Sequence, residues 1–514
     1  MPSADVLVVG AGPAGLVAAT VLAARGVAVR IIDRGAGPVE QSRAAIVHVR
    51  TLESLDRLGI ADRAVARGVP TTRVEIVERG RPVGGFPLAG RGAEADTAFP
   101  FALGLEQDRT ELLLLERLGE LGAHVEWGTE LTGLDDQRVT LRRGADGEEV
   151  LAPRWVVAAD GARSTVRHAL GVPFTGSTYD QTGLLADVRF DRPDVLTPRD
   201  GIRLYLTSGG IAGALRLSGG HHRIFGALPA GLLPNGPREV SHEPYAEVDD
   251  ALLRRWFDRL FALPAAIDEV RWTALFRVHS RIAARFRVGR VFLIGDAAHI
   301  HSPAGGQGMN LAVGDALDLA WKLAAVARDE ARPDLLDTFE TERRSVARSV
   351  LRWTDRGFAL ETTSNPAARW ARAHVAGRVI GPLTRLPAVR SAVYRLFAQT
   401  WISYRDSPAV AGRPPDRRGP HPGDRLPFDP ALPTAATRPG DLRHHLVLLG
   451  AAPSEVESVL GRYRLDVGVH PAATRGQPWL LLVRPDGHVG WTGPADDGAG
   501  LEGYLNRWYV RRAD

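Results

Sequence analysis

The first 35 residues constrain the fold more than any other part of the chain. Asp5 to Val9 read as a strand that leads into a glycine-rich turn, after which apolar residues continue as a helix up to Arg25. The turn has the spacing G-x-G-x-x-G and consists of Gly10, Ala11, Gly12, Pro13, Ala14 and Gly15. Glycine is needed where a turn is sharp, where helix and strand pack closely, and where a phosphate approaches the backbone. The pattern predicts a strand, turn and helix whose helix N-terminus faces the phosphates of a dinucleotide.

The next strand strengthens this interpretation. Gly26 ends the helix, Val27 to Ile32 form an apolar run, and Asp33 closes it. An acidic residue about twenty positions after the glycines is placed to accept a hydrogen bond from a ribose hydroxyl. We therefore predict a dinucleotide site that includes Asp33 and the adjacent Arg34. The alternative is an ordinary βαβ unit with a glycine-rich turn and no ligand.

A second segment, far along the chain, repeats this logic. Arg290 to Ile294 read as a strand ending at Gly295-Asp296, and a glycine-rich turn then leads into a helix from Leu311 to Arg328. Asp296 would bind a polyol chain, while the amides after Gly305 and the helix dipole would face a ring that becomes negative on reduction. A flavin meets that description, as the other end of the same cofactor. The candidate residues here are Gly295, Asp296, Pro303, Gly305, Gly306, Gln307, Gly308, Met309 and Asn310.

A third motif completes the pattern. Asp160-Gly161-Ala-Arg163-Ser164-Thr-Val-Arg167 follows the apolar run from Trp155 to Ala159. Together the three segments resemble the glycine-rich, DG and GD motifs of the single-component FAD-dependent aromatic hydroxylases, the class A flavoprotein monooxygenases. Within that family the chain is most similar to the branch that acts on phenols, polyketide rings and rifamycin-type antibiotics. The motifs occur in the family's order, and the resemblance covers residues 1–390 well and the remainder more loosely.

The resemblance implies further residues at the cofactor. In the family the DG segment serves both FAD and the transient nicotinamide cofactor, which assigns to the site Asp160, Gly161 and Arg167. An arginine after the second strand reaches the FAD pyrophosphate or the edge of the flavin. Arg43 is the best match and Arg50 also fits, while the alternative for Arg43 is a surface ion pair with Glu53.

A glutamine-containing stretch of the family touches the flavin. Gln107 lies at the matching place, just before a leucine-rich run that predicts a helix ending at Gly122. The resemblance makes Gln107 a candidate cofactor contact. Capping of that helix, with no cofactor contact, explains Gln107 equally well.

The pattern of elements predicts an α/β protein with several domains. A Rossmann-like FAD-binding domain of the aromatic-hydroxylase type would comprise residues 1–75, 101–172 and 277–400, with an antiparallel-sheet substrate domain inserted from residues 76–100 and 173–276. Residues 401–439 are rich in proline and read as a linker. The resemblance implies a thioredoxin-like α/β domain at residues 440–514. Because it has no Cys-x-x-Cys, we assign it to packing or dimerisation, in a monomer or homodimer.

Composition excludes several kinds of protein. The 514 residues are 44% hydrophobic with a mean hydropathy of −0.10, and no apolar run is long enough for a membrane span. A strand begins within four residues of Met1, which leaves no room for a signal peptide, and the absence of cysteine excludes disulfides and cysteine-bound metals. The net charge is only +4 and the arginines are scattered, so nucleic acid is not an expected partner. We expect a cytoplasmic protein.

The chemistry that the resemblance implies belongs mostly to the flavin. NADPH or NADH reduces FAD, O2 adds to give a C4a-hydroperoxide, and one oxygen atom passes to a small-molecule aromatic substrate. The protein must keep water away from the peroxide, a task assigned to Pro303, Gly305 and Gly306. We assign no catalytic base, because helix entry or buried hydrogen bonding explains His299 and His301 equally well. Candidates for one wall of the substrate cavity are Tyr205, Arg216, His222, Phe225 and Phe276.

Three alternatives stay open at this point. The same scaffold inserts oxygen beside a ketone in Baeyer–Villiger reactions or epoxidises an alkene. A flavin-dependent reductase of the same superfamily would make no use of O2. An FAD-bearing binding protein without turnover is the least favoured, because the DG and GD motifs are complete. The substrate is undefined, although the resemblance implies antibiotic biosynthesis or modification.

Overall fold

The computed structural model describes residues 4–39, 42, 44–78, 80–88, 96–144, 147–207, 210–229, 232, 248–302, 304–362, 382–415, 419–428, 440–450, 453–472 and 477–512. Up to residue 170 the elements in chain order are β1 (Val6–Val9), α1 (Pro13–Ala24), β2 (Val29–Asp33), β3 (Ile46–Val47), α2 (Val49–Arg57), α3 (Ala61–Arg67), β4 (Val69–Thr71), β5 (Arg73–Glu78), β6 (Arg81–Pro87), β7 (Ala102–Gly104), α4 (Gln107–Glu120), β8 (Val125–Trp127), β9 (Thr129–Leu134), β10 (Val139–Arg143), β11 (Glu148–Leu151), β12 (Trp155–Ala158) and α5 (Thr165–Ala169).

The second part of the chain begins with two long strands and ends in a smaller sheet. Its elements are β13 (Phe174–Phe190), α6 (Pro193–Leu196), β14 (Gly201–Thr207), β15 (Gly210–Arg216), β16 (His222–Ala227), α7 (Asp250–Phe261), β17 (Ile267–Ala283), β18 (Arg287–Val288), β19 (Val291–Leu293), β20 (His299–Ile300), α8 (Gly308–Ala327), α9 (Thr338–Thr362), α10 (Pro387–Ala398), β21 (Ala411–Gly412), β22 (His444–Leu449), α11 (Pro453–Leu460), β23 (Val467–Ala472), β24 (Trp479–Val483), β25 (Val489–Pro494) and α12 (Gly498–Trp508).

A six-stranded sheet brings the three sequence motifs together. Its order is β18-β19-β12-β1-β2-β8, and every neighbouring pair is parallel except β18 and β19. Val6 of the central strand β1 lies opposite Val29 of β2 on one side and Trp155 of β12 on the other. Parallel strands end at the same edge of a sheet, which is where open α/β sheets bind ligands. The residues that follow β1, β12 and β19 are the glycine-rich, DG and GD motifs.

Two apolar helices lie beneath that edge. α1 buries every residue from Ala14 to Leu22, and α8 buries almost every residue from Met309 to Val326. A helix that is apolar on all sides belongs in the core of a large protein, and both helices share one apolar cluster with β1, β12 and β19. Across the described ranges, no helix combines the length and the apolar character that crossing a bilayer requires.

An eight-stranded sheet forms the second large unit. Its order is β20-β17-β13-β16-β15-β14-β5-β6, and every neighbouring pair is antiparallel except β14 and β5. One face packs on α7, where Ile224, Trp256 and Phe257 are buried. The opposite face carries Phe225 and contacts Ile46 of β3, so it faces the part of the molecule that holds the motifs. The division of the chain into domains stays a prediction.

The C-terminal sheet has five strands in the order β21-β25-β24-β22-β23. β22 runs parallel to β23 and antiparallel to β24, and β24 and β25 form a hairpin. β21 lies within the stretch that its prolines suggested to be a linker, yet it pairs with β25, and Ile402 and Tyr404 nearby are buried. Ile402 and Tyr404 pack against α8 and α9, while Ala411 and Gly412 add a strand to the C-terminal sheet. The remainder of that proline-rich stretch from 429 to 439 lies outside the described residues.

Several histidines are buried, and their burial makes stability depend on pH. Burial lowers the pKa from the ordinary value of 6.5 to about 4 at each of His48, His222, His445 and His488. As the pH falls, the unfolded chain therefore binds these protons before the folded one does. The stability that the neutral rings provide is complete above pH 6.5 and is lost as the pH falls from 6.5 towards 4. Burial raises the pKa of Asp56 to about 6, which acts in the opposite direction.

His222 isolates this effect. Its ring is fully buried, and neither ring nitrogen has a hydrogen-bond partner among the residues that the structure describes. In the unaltered protein, unfolding below pH 6.5 is coupled to the binding of a proton by His222, and His222→Leu removes that proton binding. We predict that the slope of the unfolding free energy against pH below 6.5 is then smaller by up to about 1.4 kcal/mol per pH unit. Denaturant unfolding at several pH values measures this slope. As a control, Phe190→Leu alters the ring whose centre lies 5.9 Å from His222 and should shift the whole curve without changing its slope. An unchanged slope in His222→Leu would contradict the prediction.

Candidate functional site

The three glycines of the first motif serve different purposes. Gly10 has a φ of +102°, and a Cβ there would lie 2.4 Å from the carbonyl oxygen of Ala159. A Cβ on Gly15 would lie 1.9 Å from the carbonyl oxygen of Gly10, so the turn and the start of α1 exclude larger residues by themselves. Gly12 differs, because no described protein atom lies within 4 Å of its Cβ position and its φ of −73° suits any residue. The structure therefore has an open cradle at Gly12, at the N-terminus of α1, that fits a phosphate-bearing ligand.

Asp33 is held beside this cradle. One carboxylate oxygen accepts a hydrogen bond from the amide of Ala11 at 2.7 Å and the other from the amide of Gly35 at 2.7 Å. The carboxylate is thus fixed at the end of β2, next to the glycine-rich turn, and each oxygen keeps a second lone pair for a ribose hydroxyl. Arg34 is exposed at the same edge of the sheet.

The DG motif presents an unpaired carboxylate oxygen. Asp160 follows β12, and its Oδ2 accepts a hydrogen bond from the amide of Val166 at 3.1 Å. Its Oδ1 is buried without a hydrogen-bond partner within the described part of the chain, and burial raises the pKa of this carboxyl. Gly161 has a φ of +81° and open space at its Cβ position. Because a buried oxygen without a donor is unfavourable, this site fits a ligand with a hydroxyl or amide group.

Arg167 joins two motifs. Its guanidinium group donates hydrogen bonds to the carbonyl of Ala162 at 2.7 Å and to the carbonyl of Ala297 at 3.0 Å. The group also lies 4.0 Å above the ring of Phe174. Arg167 therefore fixes the DG segment to the turn that carries Asp296. The sequence analysis identified Arg167 as a candidate but did not reveal this structural role.

The GD turn is packed from below by small residues. Gly295 has a φ of +57°, and its Cβ position lies 3.1 Å from the Cβ of Ala312 in α8 and 3.3 Å from the Cβ of Ala14 in α1. Asp296 follows at the exposed tip of the turn. The close approach of α1 and α8 under this turn therefore sets the distance between the two ends of the cofactor site.

Asp315 of α8 anchors the GD turn, a role that sequence reasoning missed. Its Oδ2 accepts hydrogen bonds from the amide of Gly295 at 3.1 Å and from Nε2 of His299 at 2.7 Å. Its Oδ1 accepts one from Nε of Arg343 at 2.7 Å. Burial alone would raise the pKa of Asp315, but His299 and Arg343 outweigh it and hold that pKa below its ordinary value. A carboxylate inside a largely apolar helix is the sequence signal that could have identified Asp315.

The loop before α8 is fastened to β3. His48 donates a hydrogen bond from Nε2 to the carbonyl of Gly305 at 2.9 Å, and its own amide donates to Oδ1 of Asn310 at 2.8 Å. Asn310 in turn donates to the carbonyls of Gly306 at 2.8 Å and Ile46 at 3.0 Å. Gly305 and Gly306 both have positive φ, and a Cβ on Gly306 would lie 2.4 Å from Ile46. The side chain of Asn310 thus holds the loop in place, and His48 was not among the sequence candidates.

The remaining candidates of this loop begin α8. Gln307 is buried and accepts a hydrogen bond from the side chain of Gln399. Gly308 and Met309 form the first turn of α8, where backbone N–H groups and the helix dipole favour negative charge. Pro303 lies outside the described residues, so its proposed part in the pocket stays a prediction.

Gln107 ties α4 to the segment before β3. Its amide donates a hydrogen bond to Oγ of Ser42 at 2.8 Å, and its side-chain oxygen accepts one from the amide of Ala44 at 3.2 Å. Its side-chain nitrogen donates to Glu111 at 2.8 Å. The residue between Ser42 and Ala44 is Arg43, which lies outside the described residues. Gln107 therefore positions the segment that carries the candidate arginine.

An apolar wall faces the loop that contains Gly305. Ile46, Phe225 and Phe397 pack against one apolar cluster, and Trp353 and Phe397 both lie 3.4 Å from the Cβ position of Gly305. Phe276 lies on the same face of the eight-stranded sheet, with its ring over Gly183. The other three wall candidates lie on the opposite face, near α6 and α7, so they do not line this side: Tyr205, Arg216 and His222.

Comparisons with known proteins agree with this geometry. A family model described as an FAD binding domain matches residues 3–354, and one described as the C-terminal part of aromatic-ring hydroxylases matches residues 419–511. The 6-methylpretetramide 4-monooxygenase of Streptomyces rimosus is 39% identical over 82% of this chain and 74% of its own length. The rifampicin monooxygenase of Rhodococcus hoagii is 31% identical over 99% of both chains.

A solved structure extends the agreement to the fold. The anhydrotetracycline hydroxylase OxyS from Streptomyces rimosus matches with a TM-score of 0.78 and 31% identity, and the match covers 99% of this chain and 100% of that one. The sequence-based predictions of a mixed α/β fold, of FAD as cofactor and of a monooxygenase are confirmed, while the roles of individual residues stay predictions. The chain belongs to the FAD-dependent aromatic hydroxylases, a family of flavoprotein monooxygenases in which NAD(P)H is the general reductant.

Proposed function

We propose that this enzyme hydroxylates a phenolic ring of a polycyclic aromatic substrate of the polyketide class, with NAD(P)H and O2 as co-substrates. The observation that carries the proposal is the apolar surface beside the loop of Gly305, where Phe397 and Trp353 lie next to the loop and Phe225 packs against the same apolar cluster as Phe397. Flat aromatic rings pack favourably against such side chains. Two relatives support the polyketide class by their printed activities, on 6-methylpretetramide and on anhydrotetracycline.

The motif residues would hold FAD along one edge of the sheet. Gly12 and the N-terminus of α1 would receive the pyrophosphate, Asp33 the adenosine ribose, and Asp160 and Asp296 the hydroxyl groups of the ribityl chain. Bound FAD supplies the acceptance of hydride from NAD(P)H and the activation of O2. We include Arg43 and Pro303 in this assignment by family resemblance alone.

The loop at Gly305 and Gly306 and the first turn of α8 would stabilise negative charge on the reduced flavin. The backbone N–H groups at Gly308 and Met309 are the first donors of α8, and the dipole of this 20-residue helix adds to them. Their positions are fixed because His48 and Asn310 fasten the preceding glycines to β3. Donors that are held in place before the reaction stabilise developing charge without reorganisation, and removing one typically lowers the rate about 100-fold or more.

The side chains around the loop would also exclude water. Phe397, Trp353 and Ile46 surround Gly305 and Gly306 with apolar surface. A dry site prevents side reactions that waste the reductant.

No general base is assigned to the described residues. His48 donates to a carbonyl and burial lowers its pKa to about 4, so it is neutral at physiological pH and its Nε2 carries a proton. His299 is bound to Asp315 beneath the GD turn. We infer that deprotonation of the phenol relies on the acidity of the substrate itself.

The proposed setting is the cytoplasm, where reduced nicotinamide cofactors are available. We propose that the protein is a monomer or a homodimer. Baeyer–Villiger oxidation and epoxidation would use the same scaffold, and all three outcomes add one oxygen atom. Only the structure of the product separates them.

Substrate screening tests the proposed function. The purified holoenzyme is mixed with NADPH or NADH and with simple phenols, tetracyclic polyketides or rifamycins, while reductant oxidation and O2 uptake are recorded together. We predict that a tetracyclic polyketide phenol stimulates both and yields a ring-hydroxylated product, identified by NMR. Stimulated NAD(P)H oxidation without O2 uptake would instead identify a reductase, and a lactone or epoxide product would overturn the hydroxylase assignment.

Two substitutions test the cofactor site. Gly12→Val places a branched side chain in the open cradle, where a Cβ has no described neighbour within 4 Å, and Asp296→Ala removes the exposed carboxylate of the GD turn. We predict that the Kd for FAD rises about 10- to 100-fold in both variants through lost or blocked hydrogen bonds, and that apo Gly12→Val keeps the melting temperature of the unaltered apoprotein. FAD fluorescence titration measures the Kd. Matched controls are Gly503→Ala in α12, where the Cβ position is also open, and Asp136→Ala on an exposed turn. A variant that keeps its full flavin spectrum after gel filtration would show that its motif does not bind FAD.

A further inference from the structure

The tip of the β24–β25 hairpin is buried in the part of the molecule that binds the cofactor. This hairpin tip, Arg484 to His488, contains the turn Pro485-Asp486-Gly487. The side chains of Arg484, Asp486 and His488 are 3% or less exposed. Gly487 has a φ of +81°, and its Cβ position lies 2.8 Å from the guanidinium group of Arg57 in α2. The tip therefore fits between α2, α8 and α9 and leaves no room for a side chain at its turn.

The hairpin tip completes a buried cluster of charges. Arg484 donates two hydrogen bonds of 2.8 Å to Glu342 of α9, one of 2.9 Å to Asp318 of α8, and two, of 2.5 Å and 3.2 Å, to Asp486. Lys322, the only lysine of the chain, donates to Asp318 at 2.9 Å and to Glu342 at 2.7 Å. Burial raises the pKa of Asp318, and the charges of Lys322 and Arg484 oppose that shift. Two basic side chains, Arg484 and Lys322, therefore face three acidic ones, Asp318, Glu342 and Asp486.

Such a cluster is stable only when both parts of the chain contribute to it. Arg484 and Asp486 come from the hairpin. The other three members come from the two helices: Asp318 and Lys322 from α8 and Glu342 from α9. Removing one member of a buried ion pair leaves an uncompensated charge, which is strongly unfavourable. The relative positions of α8, α9 and the hairpin are therefore coupled.

A chain of contacts continues from the hairpin tip to the GD turn. The ring of Tyr404 lies 4.3 Å from that of His488 and 5.2 Å from the guanidinium carbon of Arg484. The hydroxyl of Tyr404 accepts a hydrogen bond from Arg343 at 2.8 Å. Arg343 in turn donates to Asp315 at 2.7 Å and to the carbonyl of Leu311 in the first turn of α8 at 3.2 Å. Asp315 is the residue that holds Gly295.

A small cavity lies between the hairpin tip and the loop clamp at Asn310. It has a volume of about 20 Å³ and is lined by residues of the hairpin tip, of α2 and of α8, including His488, Thr51 and Asn310. Nε2 of His488 and Oγ1 of Thr51 are buried and have no hydrogen-bond partner among the residues that the structure describes. A cavity of this size holds one water molecule when polar groups line it. Asn310, which clamps the loop of Gly306, lines the same cavity as the hairpin tip.

We propose that the hairpin tip of the C-terminal sheet is a positioning element of the flavin site, with Arg484 and Tyr404 as positioning residues. Through the charge cluster and the contacts of Tyr404, the tip fixes α8 and with it both the GD turn and the loop at Gly305 and Gly306. The C-terminal part of the chain thus contributes to FAD binding without touching the cofactor. The inference concerns FAD alone and does not depend on which substrate is hydroxylated.

Two variants of the full-length protein test the proposal. Arg484→Met removes the guanidinium group but keeps an unbranched side chain, and Tyr404→Phe removes only the hydroxyl that Arg343 contacts. Arg462→Met is the matched control, because Arg462 belongs to the same C-terminal part, is 52% exposed and pairs with Glu502 at 3.2 Å. For each variant, the Kd for FAD and the absorption spectrum and midpoint potential of the bound flavin are measured well below the melting temperature.

We predict that Arg484→Met and Tyr404→Phe raise the Kd for FAD about 2- to 30-fold and alter the spectrum or potential of the bound flavin, while Arg462→Met changes neither. A purely structural role would lower the melting temperature and leave the Kd, spectrum and potential unchanged, and that result would overturn the proposal. If Arg484→Met does not fold, Tyr404→Phe decides by the same criteria. Because no substrate is present, an enzyme that fails to hydroxylate any phenol still gives a clear answer here.

Discussion

The rest of the structure depends on one constraint, the convergence of three parallel strands at one edge of a sheet. β1, β12 and β19 lie side by side, so the residues that follow them meet although they are separated by almost 300 positions. The meeting is close because only small groups lie between the motifs: Gly295 is packed between Ala14 of α1 and Ala312 of α8. A larger residue at any of these positions would separate the two helices and with them the two ends of the cofactor site. The small residues of the motifs therefore set the length of the site.

The buried charges of α8 complement this constraint. Asp315, Asp318 and Lys322 lie within a helix that is otherwise apolar, and each is paired with a residue from another element. Burying a charge is unfavourable in itself, and the pairs offset that cost only when their geometry is kept. A displacement of α8 along its axis would break several pairs at once. The apolar residues thus hold α8 in the core, and the charges fix its position along its axis, on which the GD turn and the N-terminal donors of the helix depend.

Much of the site could be predicted from the sequence because its motifs are local. The turn at Gly10, the acid at Asp33 and the strand before Gly295 each follow from residues within a short window, and their mixed α/β setting is confirmed. The contacts that hold the motifs could not be predicted in this way. His48 and Gly305 are 257 positions apart, and Arg484 and Glu342 are 142 apart. The residues around one member of such a pair therefore do not indicate which distant residue it contacts. The prolines after residue 401 were read as a linker, but composition alone does not show that this stretch adds β21 to a sheet.

The first motif shows why a pattern of glycines alone does not demonstrate a ligand. Gly10 and Gly15 are required by the protein itself, since a Cβ on either would overlap backbone atoms even in a chain that bound nothing. Such glycines would also occur in an ordinary βαβ unit, which was the alternative interpretation of the sequence. Gly12 has neither a strained backbone nor a protein neighbour at its Cβ position, so folding gives no reason for a glycine there. A group that approaches the backbone from outside would supply that reason, and the open N-terminus of α1 favours an anion. The distinction between the two kinds of glycine therefore favours a dinucleotide site over a structural turn.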